Sequence, residues 1–245
     1  MCINQGQFVD IISELWQNED VRNHLMQRRN QSHALKWIDE KNNQYNPEFP
    51  WNIFVMSFAT MGNAAHWENN VEPNYFGNWR WEVVVNRGVE YVQCMKNNIN
   101  GGRFRAQNGE CFAQAAQYFL DNGILCVRNQ WEQSANGQAL IKYLKSFNGI
   151  GDKYARNMPM DCDDPRVQSH FAIDARIKRI LNRVLGTQNL RTYNQKEQWL
   201  NHIKDDVNDG PNGLVDRQID SWCLDRLLFQ YNDSIHQNIN ANGQQ

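Results

Sequence analysis

Hydrophobic residues recur along most of the chain at intervals of three and four, the spacing that places them on one side of an α-helix. The first such stretch, FVDIISELWQ, has its apolar face at Phe8, Ile11, Ile12 and Leu15. The most apolar stretch, WNIFVMSFATMGNAAHW, follows Pro50, and proline suits the entry to a helix. We therefore expect a chain built almost entirely of helices, with a buried helix after Pro50.

Six further stretches have helical spacing: WRWEVVVNRGVEYVQCM, GECFAQAAQYFLDNG, GQALIKYLKSF, IDARIKRILNRVLG, NQKEQWLNHIKDDV and VDRQIDSWCLDRLLFQY. Within the first of them, WEVVV alone also fits a strand. Gly123 and Gly186 end two of them and predict helix ends, because glycine commonly terminates a helix. Hairpin signals and strands alternating with helices are not visible, which argues against a doubly wound sheet. The pattern predicts an all-α protein whose last stretch, from Asn232 to Gln245, is a frayed tail.

The composition fits a globular protein of one large domain or two small ones. The chain has 245 residues, of which 41% are hydrophobic and 21% charged, and its formal net charge is −2. A protein of that charge is not coated with positive residues, so a nucleic-acid site must be a local patch. One such patch lies between residues 141 and 183, where nine Lys or Arg stand against five Asp.

Six cysteines are scattered along the chain without a CxxC pair, so the sequence indicates neither a metal site nor an iron–sulfur cluster. No basic and apolar leader opens the chain, and we expect reduced thiols in the cytoplasm. No apolar run approaches the length of about 18 residues that predicts a transmembrane helix. A cytoplasmic protein without a membrane span is therefore expected.

The stretch LKSFNGIGDKYA, residues 144–155, predicts a helix, a tight turn with two glycines and a second helix. Lys153 lies in the first turn of that second helix, where the dipole disfavours a cation by a few tenths of a kcal/mol to about 1 kcal/mol. Backbone N–H groups left free by the turn and the helix N-terminus form an anion site, and phosphate is the obvious anion. The glycine spacing fits neither the dinucleotide fingerprint nor the Walker A loop. Taken alone, the motif also fits an ordinary turn between two helices.

A second element, FAIDARI, follows Lys153 by about 20 residues. Its Asp174 precedes an amphipathic helix whose apolar side carries Ile177, Ile180, Leu181 and Val184. Aspartate is among the best N-cap residues and is worth about 1 kcal/mol over alanine at that position. By itself, Asp174 indicates a helix cap rather than a catalytic group.

Together, the two elements resemble the helix-hairpin-helix DNA glycosylase superfamily, which contains endonuclease III and the 8-oxoguanine DNA glycosylases. FNGIGDKYA matches the family's hairpin of two glycines followed by a lysine. AIDARI matches the two apolar residues and aspartate that begin the family's next helix, and the order and separation of the two motifs also agree. The resemblance is specific across residues 141–185. Two departures are Phe147-Asn148, where many members carry Leu-Pro, and Pro159, which is expected to shorten the second hairpin helix. The iron–sulfur loop of endonuclease III has no counterpart, since the late chain holds only Cys223.

The resemblance implies an all-α, two-lobed fold with the active site in the cleft between the lobes. Residues 50–165 would form a helical barrel lobe that ends in the helix-hairpin-helix, at about 138–160. Residues 1–49 together with 166–245 would form the second helical lobe. The chain would belong to a branch without an iron–sulfur cluster.

The resemblance also assigns catalytic roles to Lys153 and Asp174. Lys153 would attack C1′ of the flipped nucleotide, and the positive end of the helix dipole favours the neutral, nucleophilic amine. Asp174 would stabilise the positive charge that develops on the sugar. The competing interpretation is an ion pair of Lys153 with Asp174 or with Asp152.

The remaining predicted site residues bind the DNA rather than carry the reaction. Backbone N–H groups of Asn148, Gly149 and Gly151 would hold a DNA phosphate. Trp222 and Phe229, on the late helix, are proposed for the base pocket because aromatic faces stack flipped bases. His170 lies close to Asp174 in sequence and is expected to be an ordinary surface histidine.

The function implied by the resemblance is a bifunctional DNA glycosylase/AP lyase of base excision repair. It would release an oxidised base, 8-oxoguanine first among the candidates, through a lysine Schiff base and β-elimination. No metal or other cofactor is expected. The partner would be duplex DNA that contains a damaged base or an abasic site. The protein would bind this DNA as a monomer, in the cytoplasm at the nucleoid. The alternatives are a non-catalytic helix-hairpin-helix DNA-binding protein and a glycosylase for another lesion, such as an oxidised pyrimidine, uracil or an alkylated base.

Overall fold

The computed structural model describes residues 3–62, 64–102, 105–186, 190–210 and 218–242. Helices account for 74% of the structure and strands for 2%, so the predicted all-α class is confirmed. The chain divides into two compact units, which we call the middle unit, Ser32–Asp163, and the terminal unit, Met1–Gln31 with Asp164–Gln245. The middle unit begins earlier in the chain than the lobe expected over 50–165.

The helices are α1 (Gln5–Gln17), α2 (Glu19–Lys36), α3 (Trp51–Thr60), α4 (Ala64–His66), α5 (Trp81–Met95), α6 (Arg105–Asn122), α7 (Ile124–Glu132), α8 (Gly137–Leu144), α9 (Asp152–Met160), α10 (Ala175–Leu185), α11 (Tyr193–Asp209), α12 (Ser221–Gln230) and α13 (Asn232–Asn242). Two strands, β1 (Trp37–Asp39) and β2 (Gln44–Tyr45), pair antiparallel. Turns of π-helix cover Trp67–Val71 and Tyr75–Trp79, and turns of 3-10 helix cover Glu72–Asn74 and Pro165–Val167.

The middle unit is organised around α3, the helix predicted to be buried. Side chains on every side of α3 are buried, as expected for a helix that is apolar all round. The Phe54 ring packs edge-on against Phe119 and Phe147, with ring centres 5.0 Å and 4.7 Å apart. The Trp51 indole donates a hydrogen bond of 2.6 Å to the carbonyl of Trp79. The sequence prediction of a buried helix after Pro50 is therefore confirmed.

The terminal unit has its own apolar core. The first helix, α1, contacts α10, α11 and α13, and it buries Phe8, Ile11, Ile12 and Trp16. The predicted apolar face of α10 is also buried, with Ile177, Ile180, Leu181 and Val184 inside. Asp174 therefore begins a helix whose orientation within this unit is set by hydrophobic packing.

Several predicted helix ends are confirmed. Gly123 follows α6 with φ 79°, and Gly186 follows α10 with φ 55°, backbone angles that glycine adopts without steric cost. Helix α9 ends at Met160, directly after Pro159, as the proline predicts. The helix expected over VDRQIDSWCLDRLLFQY begins only at Ser221, where Asp220 caps it, and residues 215–217 lie outside the described residues.

Two sequence predictions about the chain's polar stretches are wrong. A two-stranded hairpin is present where no hairpin signal was seen, with Trp37 stacked on Tyr45 at 4.1 Å between ring centres. The frayed tail expected from Asn232 is a helix as far as Asn242, and it buries Ile235 and Ile239. In both places, a few apolar side chains hold a polar stretch onto the rest of its unit.

Candidate functional site

The predicted helix-turn-helix is present in the middle unit. Helices α8 and α9 are joined by residues 145–151, and Gly151 is the N-cap residue of α9. Lys153 is the second residue of α9 and so lies in its first turn. The local structure predicted for residues 144–155 is therefore confirmed.

Apolar side chains anchor the turn between α8 and α9. Phe147 is buried and packs edge-on against Tyr118 and Tyr143, with ring centres 5.2 Å and 5.6 Å apart, in addition to its contact with Phe54. Ile150 is also buried. Phe147 and Ile150 therefore anchor the turn in the apolar core of the middle unit.

The two glycines of the turn have different structural roles. Gly149 has φ 86°, and a Cβ atom there would lie 2.8 Å from Cβ of Cys111. Gly151 has an ordinary extended backbone, and a Cβ atom there would meet nothing within 4 Å. Gly149 is therefore required by the fold, whereas the space beside Gly151 is open to a ligand.

Backbone donors of the turn remain available to a ligand. Within the described part of the chain, the N–H groups of Asn148, Gly149 and Gly151 donate to no protein acceptor. The Asn148 side chain is held by Gln114, to whose Oε1 it donates a hydrogen bond of 3.1 Å. Free N–H groups beside a helix N-terminus favour an anion such as phosphate.

Lys153 is half-buried beside an aromatic ring. Its Nζ lies 4.4 Å from the ring centre of Tyr154, a cation–π distance. Asp152 is bound instead by Lys145 at 2.6 Å and by Arg156 at 3.3 Å, and the hydrogen bond from Lys145 lowers the pKa of Asp152. Among the described residues of the middle unit, no carboxylate forms an ion pair with Lys153. The alternative in which Lys153 pairs with Asp152 is therefore wrong.

Asp174 caps α10 in the terminal unit, as its sequence position predicts. Its Oδ1 accepts hydrogen bonds from the backbone N–H groups of Arg176 at 2.8 Å and Ile177 at 2.9 Å. Within the described residues of this unit, Oδ2 accepts no hydrogen bond. One oxygen of the carboxylate therefore stabilises the helix, and the other is left as a charged acceptor.

Two buried carboxylates hold the chain just before Asp174. Glu197 of α11 accepts a hydrogen bond of 3.0 Å from the Phe171 N–H and lies 3.2 Å from Nδ1 of His170. Asp225 of α12 accepts a hydrogen bond of 2.7 Å from the Ala172 N–H. The prediction that His170 is a surface histidine is wrong, because its side chain is buried against Glu197.

A tyrosine hydroxyl completes this arrangement. Tyr193 of α11 accepts a hydrogen bond of 2.7 Å from the Ile173 N–H and donates one of 2.8 Å to the Phe171 carbonyl. We call Tyr193, Glu197 and Asp225 the clip. Each of the three backbone N–H groups that precede Asp174 thus donates to one clip side chain.

Sequence reasoning missed the clip, although the chain carries a weak signal for two of its members. Glu197 occupies the helical face that also carries the buried Leu200, Ile203 and Val207. Asp225 lies among buried apolar residues of α12. An acid on an apolar helix face predicts a buried hydrogen-bonded carboxylate, but it does not name the partner.

The two aromatic residues predicted for the base pocket differ in exposure. Trp222 is buried, and the guanidinium groups of Arg29 and Arg226 lie 5.8 Å and 5.7 Å from its ring centre. Phe229 is half-buried, and the guanidinium of Arg176 lies 4.4 Å from its ring centre. Of the two, Phe229 is the more exposed, and Arg176, in the first turn of α10, lies against its ring.

The polar face of α10 is basic. Arg176, Lys178, Arg179 and Arg183 are all exposed on it. Arg183 donates to Nδ1 of His236 at 3.0 Å, and burial together with Arg183 and Arg179 lowers the pKa of His236. The helix that Asp174 caps therefore presents a positively charged surface, which suits a phosphate backbone.

Other possible sites contain none of the predicted residues. A cavity of about 430 Å³ in the middle unit is lined by His66, Tyr91 and four asparagines, among others, and by no Asp, Glu, Lys or Arg of the described residues. In the described ranges, no three His, Cys, Asp or Glu side chains cluster as a metal site would require. None of the described helices combines the length and the apolar character needed to cross a bilayer.

The structure thus groups the predicted residues into two sets. Asn148, Gly149, Gly151 and Lys153 share one turn of the middle unit, whereas Asp174 and Phe229 belong to the terminal unit. No protein-family model, curated protein or solved structure matches this chain. Function is therefore inferred from the chemistry of these two sets.

Proposed function

We propose that the protein is a bifunctional DNA glycosylase/AP lyase that removes an oxidised base from duplex DNA. One observation carries the proposal: a lysine with no carboxylate partner in the described part of its unit lies in the first turn of α9, next to free N–H groups. A phosphate held by those groups would bring a nucleotide close to a primary amine. An amine beside a bound nucleotide is suited to attack its sugar.

The chemistry assigned to Lys153 has two stages. Its amine attacks C1′ of the nucleotide, the bond from C1′ to the base breaks, and the base leaves with the electron pair. The sugar then opens to a Schiff base on the lysine, and β-elimination breaks the strand on the 3′ side. The amine has to be neutral when it attacks.

Asp174 has the features needed for the charge that develops on the sugar. Base departure leaves positive charge on the ring, and a fixed carboxylate stabilises such a transition state. Oδ1 is fixed by the two backbone N–H groups of α10, while Oδ2 is the acceptor still available. The cap and the catalytic role are therefore compatible in one side chain.

DNA binding would come from backbone donors and local positive charge rather than from the chain as a whole. The N–H groups of Asn148, Gly149 and Gly151 would take one phosphate, and the basic face of α10 would face others. Such contacts position a duplex without reading its sequence. The base would be read elsewhere, and Phe229 is the aromatic side chain proposed to stack on it.

The lesion proposed first is 8-oxoguanine. This assignment follows from the resemblance of a lysine-bearing, cluster-free chain to the 8-oxoguanine branches, not from pocket contacts. Matched duplexes that carry 8-oxoguanine, thymine glycol, uracil or 3-methyladenine would test it under single-turnover conditions. Fast release of thymine glycol with no release of 8-oxoguanine would refute the lesion and leave the lysine chemistry in place.

The decisive test of the function is covalent trapping on DNA that contains an abasic site. Borohydride should link the wild-type protein to this DNA by reducing the Schiff base. Lys153→Gln should abolish trapping and retain most of the DNA affinity, while Lys142→Gln, on the exposed side of α8, should trap as the wild type does. Trapping that survives Lys153→Gln would assign the chemistry to another amine. A wild-type protein that binds duplex DNA, releases no base and never traps would be the non-catalytic DNA-binding protein.

A further inference from the structure

The three residues before Asp174 are held in an unusual way for a connecting segment. Phe171, Ala172 and Ile173 form neither helix nor strand, so their backbone N–H groups have no partners from regular secondary structure. All three donate to the clip, through Glu197 at 3.0 Å, Asp225 at 2.7 Å and Tyr193 at 2.7 Å. Three side chains from two helices thus supply the hydrogen-bond acceptors that a neighbouring strand would supply in a sheet.

We infer that the clip residues Tyr193, Glu197 and Asp225 are positioning residues for the Asp174 carboxylate. This inference rests on the function proposed above and adds residues that neither motif contains. The clip fixes the backbone up to Ile173, and the N–H groups of Arg176 and Ile177 fix Oδ1 on the other side. With both sides held, the direction of Oδ2 is set before DNA binds.

The use of buried carboxylates supports this inference. Glu197 and Asp225 have exposed fractions of 4% and 1%, and burial of a carboxylate is costly unless strong hydrogen bonds offset the cost. Hydrogen bonds from N–H groups to a carboxylate are about twice as strong as neutral ones, so they hold a backbone more rigidly. A catalytic group held within about 0.5 Å needs such rigid support from the residues around it.

Tyr193 is the member that can be tested with the least disturbance. Its hydroxyl touches both ends of the segment, by accepting from the Ile173 N–H and donating to the Phe171 carbonyl. Tyr193→Phe removes one oxygen atom and keeps the ring, while Glu197 and Asp225 still hold the other two N–H groups. The matched control is Tyr231→Phe in the same unit, because the Tyr231 hydroxyl makes no hydrogen bond with a described residue.

The experiment is a double-mutant cycle between Tyr193 and Asp174, measured as the single-turnover rate of base release per folded molecule. Tyr193→Phe should slow base release by roughly tenfold or more, since small displacements of a catalytic group cost up to about 10² in rate. In the Asp174→Asn background, the same change should have no further effect on the residual rate. Borohydride trapping on a preformed abasic site should stay at the wild-type level, because no base has to leave there.

The possible outcomes separate the inference from the function on which it rests. Tyr193→Phe could lower the rate of base release equally in the wild-type and Asp174→Asn backgrounds, or not lower it at all. Either result would overturn the positioning role, while base excision by the wild-type protein would stand. A loss matched by Tyr231→Phe would also overturn it. If the wild-type protein releases none of the four bases and traps on no abasic site, the proposed function fails, and the positioning role fails with it.

Discussion

The turn before Lys153 and the segment before Asp174 are both short connections that lead into a helix, yet they are stabilised by opposite means. Apolar packing of Phe147 and Ile150 holds the turn, and within the described part of the chain it leaves the N–H groups of Asn148, Gly149 and Gly151 without protein acceptors. Two buried carboxylates and the half-buried Tyr193 hold the Asp174 segment and occupy all three of its N–H groups. The first arrangement leaves donors for a ligand, and the second fixes a side chain.

This difference determines which substitutions should affect folding and which should affect function. In the turn, the position that the fold requires and the position open to a ligand are separate glycines, Gly149 and Gly151. In the Asp174 segment, the cap and the proposed catalytic group are two oxygens of one carboxylate. In the turn, one substitution can therefore test folding and another can test ligand binding. At Asp174, the substitution has to keep the helix cap so that only the catalytic role is tested.

The largest expected effect comes from Asp174→Asn. Asparagine caps a helix about as well as aspartate, so the free energy of unfolding should change by less than about 0.5 kcal/mol. Base release should fall by about 10²-fold or more, because the lost charge acts mainly in the transition state. Single-turnover excision and thermal unfolding of the same preparation measure both quantities.

The matched control for Asp174 is Asp220→Asn. Asp220 caps α12 in the same unit by accepting from the Cys223 N–H at 2.8 Å, and it has no proposed role in the reaction. Because Asp220 also pairs with Arg29 at 2.6 Å, the control compares the rate of base release and not the stability. The Asp220→Asn variant should keep the wild-type rate of base release per folded molecule. If Asp174→Asn lowers the unfolding temperature sharply and leaves turnover unchanged, Asp174 is a helix cap and nothing more.

An intermediate effect is expected where the two glycines are compared. Gly149→Ala should destabilise the protein by at least about 2 kcal/mol, because of the positive φ and the approach to Cys111. Gly151→Ala should change stability by less than about 0.5 kcal/mol, yet weaken binding to all duplexes alike by crowding the phosphate. Urea unfolding and duplex binding at one fixed salt concentration make the comparison. Full affinity of a well-folded Gly151→Ala protein would remove this turn from the DNA interface.

The smallest expected effect concerns Asp152, which ties α9 to Lys145 of the preceding turn. The hydrogen bond from Lys145 lowers the pKa of Asp152 below its ordinary value of 3.8. This contribution to stability is therefore present above about pH 4 and lost as the pH falls through the lowered pKa. Asp152→Asn should cost less than about 1 kcal/mol at neutral pH, because the pair is half exposed.

Urea unfolding of the Asp152→Asn and wild-type proteins at about pH 7 and about pH 2.5 measures this difference. The two proteins should differ at the higher pH and converge at the lower one. Asp121→Asn is the matched control, since Asp121 is exposed and, among the described residues, bonds only to the Gln117 amide one helical turn away. A difference that persists in acid would show that the carboxylate charge is not what stabilises the turn.

Much of the local structure could be predicted because its causes are local. The spacing of Ile177, Ile180 and Leu181 produces the apolar face of α10, and Asp174 begins that helix through hydrogen bonds to residues two and three positions away. Gly123 and Gly186 end their helices by backbone conformations that few other residues adopt. Predictions of this kind depend on neighbours in sequence, so the sequence alone was sufficient.

Predictions failed where distant residues decide the outcome. Asn232–Asn242 is polar enough to resemble a tail, but Ile235 and Ile239 are buried in the terminal unit. His170 is buried against Glu197, which lies 27 residues further along the chain. No local pattern reports such partners, since burial is a property of the packed unit.

The helical class, the position of Lys153 in the first turn of α9 and the cap by Asp174 all follow from local sequence. Three other features depend on packing: Gly149 lies against Cys111, the space beside Gly151 is open, and Asp152 binds Lys145 rather than Lys153. Packing also brings Tyr193, Glu197 and Asp225 to the three N–H groups before Asp174. The physical reason is that helix periodicity and capping act over a few residues, whereas a buried polar group takes its partner from whichever helix packs beside it.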